Sequence, residues 1–179
     1  MSSKKKNTKQ IKKPYYKKKK TYQNETISFC TKGADSDSTI LSSQGSIFKT
    51  LVKNTKAEGV RKVKNFTLNV TTSYEQVTDS DHQERENLPL VFALIYVPND
   101  QQPLNLSPSS PDFQTLYGSN NYVLLYGVCN TGKQTSLRTR LARNLNAGDT
   151  IVLKIFNPNA NDIKNLTFYA SLNYAIAYN

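Results

Sequence analysis

The densest chemistry in the chain is a run of lysine. Lys4, Lys5, Lys6, Lys9, Lys12, Lys13, Lys17, Lys18, Lys19 and Lys20 fall within residues 1–20, with no acidic residue among them. A lysine ammonium meets phosphate as a mobile point charge and reads no sequence. Each phosphate it neutralises releases condensed counterions, so such a segment binds polyanions tightly at low salt and weakly at high salt. Tyr15, Tyr16 and Tyr22 are interleaved with these lysines. A ring beside cations can stack on an unpaired base, which holds single strands without sequence preference. The pattern predicts a nucleic-acid-binding arm. The stretch KKPYYKKKK would also serve as a nuclear-import signal. A tether to acidic membrane is the remaining use of such a run, but no lipidation motif or amphipathic helix accompanies it.

A second basic cluster is Arg138, Arg140 and Arg143. On an extended strand Arg138 and Arg140 share one face, where they could enlarge the nucleic-acid surface, pair with carboxylates of a neighbouring subunit, or simply be solvated. Carboxylates alternate in Asp35-Ser-Asp37 and in Asp79-Ser-Asp81, the latter followed by Glu84. Alternating carboxylates can chelate calcium, yet the glycine and closing glutamate of an EF-hand loop are missing, so the sequence favours solvated loop acids. His82 is the only histidine, which excludes a multi-histidine metal centre. No phosphate-cradling glycine loop or Gly-x-Ser-x-Gly elbow is present. No catalytic residue and no cofactor are expected. Cys30 and Cys129 make neither a disulfide framework nor a zinc spacing and read as reduced, partly buried thiols.

These side chains need a body to carry them. The 179 residues suit one domain. The net charge is +11, but without the ten arm lysines the chain has 14 basic and 13 acidic residues, a net +1. The charge therefore sits in a tail on a nearly neutral body, and blocks of like charge stay disordered. The arm is expected over residues 1–24 and the folded domain over 25–179. No apolar stretch follows the lysines as in a secretory signal, and none reaches the roughly 18 residues that span a bilayer. Asn-x-Ser/Thr matches are then accidents of composition.

The body alternates as half-buried strands do. Expected strands are Glu25–Thr31, Val63–Thr72, Tyr122–Cys129, Ser136–Leu145 and Thr150–Phe156, with a short one possible at Thr39–Leu41. Ser46–Lys53 could be a capped helical turn or a strand. Leu88–Val97 (LPLVFALIYV) is a continuous apolar run, expected to be a strand buried on both faces. In Ser136–Leu145 the alternation sends Leu137, Thr139 and Leu141 inward and Ser136, Arg138 and Arg140 outward. From Leu166 the even positions through Tyr178 form an inward face, on a strand expected to run to the last residue. Seven to nine strands and no long helix predict an all-β fold, best an eight-stranded jelly-roll sandwich with a disordered basic N-terminal arm.

Several of these stretches carry a family resemblance. The lysine-rich start, LPLVFALIYVP (88–98), LYGSNNYVLLYGV (116–128) and above all RTRLARNLNAGDTIVLKI (138–155) resemble the capsid proteins of small circular single-stranded DNA viruses that encode a replication initiator. These are in turn similar to the coat protein of satellite tobacco necrosis virus. In that family an Arg-rich strand, an R-N-L-x-x-G-D turn and an apolar strand follow one another. The start departs from many circovirus relatives in being Lys-rich rather than Arg-rich. The resemblance implies a jelly-roll shell domain, its arm inside the particle, and an icosahedral shell of about 60 identical copies. It also implies a single-stranded genome, DNA rather than RNA, and places the protein in the virion and, during assembly, in the host nucleus with an import receptor as possible partner. No membrane insertion is expected. Two other readings stay open: a ligand-binding β-sandwich of the TNF-like or lectin-like kind, and a nucleic-acid-binding protein that never assembles.

Overall fold

The computed structural model describes residues 20–31, 46–55, 59–74, 87–101, 122–159 and 166–178. They form eight strands: β1 (Gln23–Thr31), β2 (Ser46–Val52), β3 (Arg61–Tyr74), β4 (Pro89–Val97), β5 (Val123–Asn130), β6 (Gln134–Leu145), β7 (Thr150–Phe156) and β8 (Leu166–Tyr178). One antiparallel sheet has the order β1-β8-β3-β6 and the other β2-β7-β4-β5. The chain changes sheet at every connection except β4–β5. Eight strands shared in this order between two four-stranded sheets make a jelly roll.

The core follows from alternation. Phe66, Leu68 and Val70 of β3 meet Leu166, Phe168, Leu172, Tyr174 and Ile176 of β8, all nearly inaccessible to solvent. Across the sandwich lie Leu90, Phe92 and Leu94 of β4 with Ile151, Leu153 and Ile155 of β7. Each such side chain contributes about 1.5–3 kcal/mol by leaving water. Beside the β5–β6 connection the two sheets approach closely at Gly127, where a Cβ would lie 2.5 Å from a Leu137 methyl.

The turn Asn146–Asp149 closes one end of the sandwich. Gly148 takes φ +89°, and a Cβ there would overlap Asn99. The buried Asp149 carboxylate accepts from the backbone N–H of Asn99 (2.9 Å) and of Asn146 (2.8 Å) and from the Tyr96 hydroxyl (2.8 Å). The Arg61 guanidinium donates to the carbonyls of Lys53 (3.1 Å) and Asp149 (3.4 Å). The Arg-Asn-Leu-x-x-Gly-Asp segment at 143–149 therefore serves as a hydrogen-bonded clamp between β3, β4 and β7. Burial first, then the hydrogen bond to Asp149, pushes the Tyr96 hydroxyl up to about 12.

Local structure departs from simple alternation where strands bulge. Relative to β8, β3 carries an extra residue near Asn65, which adopts φ 57°. The bulge lets Arg61 and Val63 face inward on one side of it and Phe66 on the other. Strand β6 carries a further extra residue opposite β3, between Thr139 and Ala142. Leu141, expected inward, is consequently exposed (45%). Tyr178, expected on the inward face of β8, is exposed at the strand end (62%). Ser46–Val52 is a strand rather than a helical turn, held by pairing to β7. Cys30, expected partly buried, is exposed, whereas Cys129 is buried, and both thiols are free. The possible strand Thr39–Leu41, the loops containing Asp35, Asp37, Asp79, Asp81 and Glu84, and His82 lie outside the described residues.

Candidate nucleic-acid interface

Residues paired across neighbouring strands point to the same side of a sheet, and alternate residues along a strand share that side. The register of β1, β8, β3 and β6 therefore lays out the outward face in rows. Thr26, Asn173, Thr67 and Arg138 make one row; Ser28, Ser171, Asn69 and Ser136 the next; Cys30, Tyr169, Thr71 and Gln134 the third. Toward the other end, beyond the bulges, Lys64 stands with Ala175 and Ala142, and Lys62 with Ala177 and Asn144. Within these rows the Thr26 hydroxyl donates to the Asn173 amide oxygen (2.5 Å) and the Asn69 amide to the Ser171 hydroxyl (3.4 Å).

The face carries amides, hydroxyls and cations, and none of the residues in these rows is a carboxylate. Among the described residues the acids are Glu25, Asp100 and Asp149. Asp149 is buried in its clamp, and Glu25 accepts hydrogen bonds from Tyr174 and Tyr178. Burial and the contact with Glu25 raise the Tyr174 hydroxyl far above its ordinary value. Arg138 and Arg140 are exposed, while Lys62 and Lys64 are half-buried.

The root of the arm joins this face. Tyr22 precedes β1, and the Lys64 ammonium lies 3.7 Å from the centre of its ring, a cation–π contact that ties the chain entering β1 to β3. Lys20, the last arm lysine, is exposed next to it. Lys4, Lys5, Lys6, Lys9, Lys12, Lys13, Tyr15, Tyr16, Lys17, Lys18 and Lys19 lie outside the described residues. Arg143 does not join Arg138 and Arg140. It pairs with the core residue Val63, on the side opposite Lys62 and Lys64, and its charge acts on Tyr96. Its odd position accounts for the separation, since the even residues of β6 face outward on both sides of the extra residue. Lys62 and Lys64 were not singled out by sequence, although the Arg61-Lys62-Val63-Lys64 alternation ahead of Phe66 is a readable signal for them. Tyr169 was likewise passed over. No group of three or more His, Cys, Asp or Glu among the described residues could hold a metal ion.

The outward face of the other sheet has opposite character. Its rows are Ser46, Phe156, Val91 and Val128; Phe48, Lys154, Ala93 and Tyr126; and Thr50, Val152, Ile95 and Val123. Ala93, Ile95, Val97 and Val152 form a second buried apolar cluster. Lys154 has no solvent exposure, and its ammonium lies 4.4 Å from the centre of the Phe48 ring. Burial lowers the Lys154 pKa to about 8. Strand β4 is thus buried on both sides, as its continuous apolar sequence predicts.

No protein-family model matches the chain, and no curated protein matches it. Among solved structures it is similar to the Macrobrachium rosenbergii nodavirus, at 8% identity and TM-score 0.48, over 99% of this chain and 58% of that one. It is also similar to the T=1 subviral particle of a Penaeus vannamei nodavirus capsid protein deletion mutant, at 10% identity and TM-score 0.43, over 89% and 95%. A third is the infectious bursal disease virus Gx strain, at 10% identity and TM-score 0.41, where 88% of this chain matches 32% of that one. The chain thus spans about a third of the bursal disease virus chain and more than half of the Macrobrachium nodavirus chain.

Proposed function

We propose that the protein is a viral capsid protein that assembles into a small closed shell and packages a single-stranded genome. The observation that carries this reading is the junction of the lysine arm with the carboxylate-free face of sheet β1-β8-β3-β6, where Lys62, Lys64, Arg138 and Arg140 extend the cationic surface. A cationic tail alone would suit any nucleic-acid-binding protein. Its union with a nearly neutral jelly roll supplies both a wall and a lining. In a T=1 particle of about 60 copies, ten arm lysines each would present ~600 charges to the genome. The DNA preference, the nuclear stage and the import receptor rest on the family resemblance and on KKPYYKKKK.

Sedimentation of the recombinant protein, with absorbance read at 260 and 280 nm, tests the reading. The expected result is a fast, narrow boundary rich in 260-nm absorbance, with that absorbance lost when residues 1–20 are deleted. A slow monomer or trimer at every salt and pH would sink the capsid reading and favour a ligand-binding β-sandwich.

A further inference from the structure

The polar outward face is not flat. An open groove of about 650 Å³ runs across it, lined by Ser28, Cys30, Asn69, Thr71, Gln134 and Tyr169 among others. Tyr169 is 43% exposed, large for a tyrosine on a central strand. Around its ring stand the amides of Asn69 and Gln134 and the hydroxyls of Ser28, Thr71 and Ser171, all neutral hydrogen-bonding groups. A phosphate site would need cations or clustered N–H donors inside the groove, and among the described residues the lining has no charged side chain. A flat heteroaromatic ring fits this chemistry better: the tyrosine offers a stacking surface, and amides can both donate to and accept from a base edge.

We propose that the groove over Tyr169 seats an unpaired nucleobase of the bound strand. This deepens the reading of the face as a nucleic-acid surface and rests on it. The cations stand outside the groove, where a phosphate backbone would run. Arg138 lies two rows from Tyr169, roughly 13 Å along the strands, with Lys64 and the root of the arm beyond it. A chain of nucleotides can therefore leave its phosphates with the lysines and arginines while one base turns onto Tyr169. A duplex has no free base face to offer, so the groove selects single strands, a selection that arm lysines cannot make.

The test uses the full-length protein and three oligonucleotides of equal length: oligo(dT), an abasic strand and a duplex. Binding is measured at a salt concentration high enough to weaken phosphate contacts. The expected result is about tenfold tighter binding of oligo(dT) than of the abasic strand. Tyr169→Ala should erase that difference and Tyr169→Phe should keep it. Irradiating a bromodeoxyuridine-substituted strand on the unmodified protein should place the cross-link on Tyr169, a readout that needs no variant to fold. Equal binding of oligo(dT) and the abasic strand, with no adduct at Tyr169, would overturn the groove assignment while leaving the nucleic-acid face intact. Failure of the full-length protein to bind any of the three would overturn both.

Discussion

The two outward faces of the sandwich are built on equally regular strands, yet they differ in nearly every physical property. On β1-β8-β3-β6 the outward rows are mostly amides, hydroxyls and cations, exposed or half-buried apart from Ala175 and Ala177. On β2-β7-β4-β5 they are largely apolar and half of them are buried, down to a lysine with no exposure, with Phe48 and Val128 exposed at the margins. A free-standing soluble sandwich needs only one buried face on each sheet. The difference gives the domain a direction: one outer face is polar and cationic, the other apolar with a buried cluster.

The sharpest way to break this contrast is to place the same charge on both faces. Ile95→Glu puts a carboxylate into the buried outer cluster and should cost about 4 kcal/mol or more. Asn69→Glu, on the polar face, should leave the urea unfolding midpoint nearly unchanged while weakening binding of a single-stranded oligonucleotide. Equal loss of stability in the two variants would mean that the faces are not different in kind. Next in size is Asp149→Ala. It leaves two backbone N–H groups and the Tyr96 hydroxyl without their acceptor, at about 3–5 kcal/mol in urea unfolding.

A smaller effect is expected from neutralising the cationic rows. Lys64→Gln with Arg138→Gln should keep the fold and lower the slope of log affinity against log salt by about 1.4, roughly 0.7 per lost phosphate contact on a single strand. Arg143→Gln should leave the slope unchanged, because Arg143 faces the other way. The smallest effect concerns pH. Lys154 has a folded pKa near 8 against an ordinary 10.5. Between those values the unfolded chain binds the proton and the folded one does not, so this residue makes stability rise with pH from about 8 to 10.5. Tyr96 acts in the opposite sense. Its proton is held up to about 12 in the fold and lost near 10 in the unfolded chain, so stability falls with pH from about 10 to 12. Urea midpoints across pH 7–10 should rise for the unmodified protein and stay flat for Lys154→Met.

Much of this was legible in the sequence, because alternation reports burial directly. The apolar run at 88–97 announced a strand buried on both sides, and the even-numbered apolar set from Leu166 announced the inner face of β8. What sequence could not give was the effect of single extra residues. The bulge near Asn65 reverses the parity of β3, whereas the extra residue of β6 between Thr139 and Ala142 matches that reversal and leaves the parity of β6 unchanged. The first brings Lys62 and Lys64 onto the face of Arg138, and Leu141 is exposed within the second. Register is a property of pairs of strands, so no single strand's pattern contains it. The groove over Tyr169 was hidden for the same reason, since its lining comes from four strands.

The direction of the domain can be measured with its own two thiols. Cys30 is exposed on the polar face, in register with Tyr169, and Cys129 is buried. A polymer-linked maleimide too large to enter a closed shell should leave intact particles unlabelled. After dissociation at high salt it should modify Cys30 alone, with Cys129 reacting only on unfolding. Labelling of Cys30 as fast in intact particles as in free subunits would put the polar face on the outside and contradict the account.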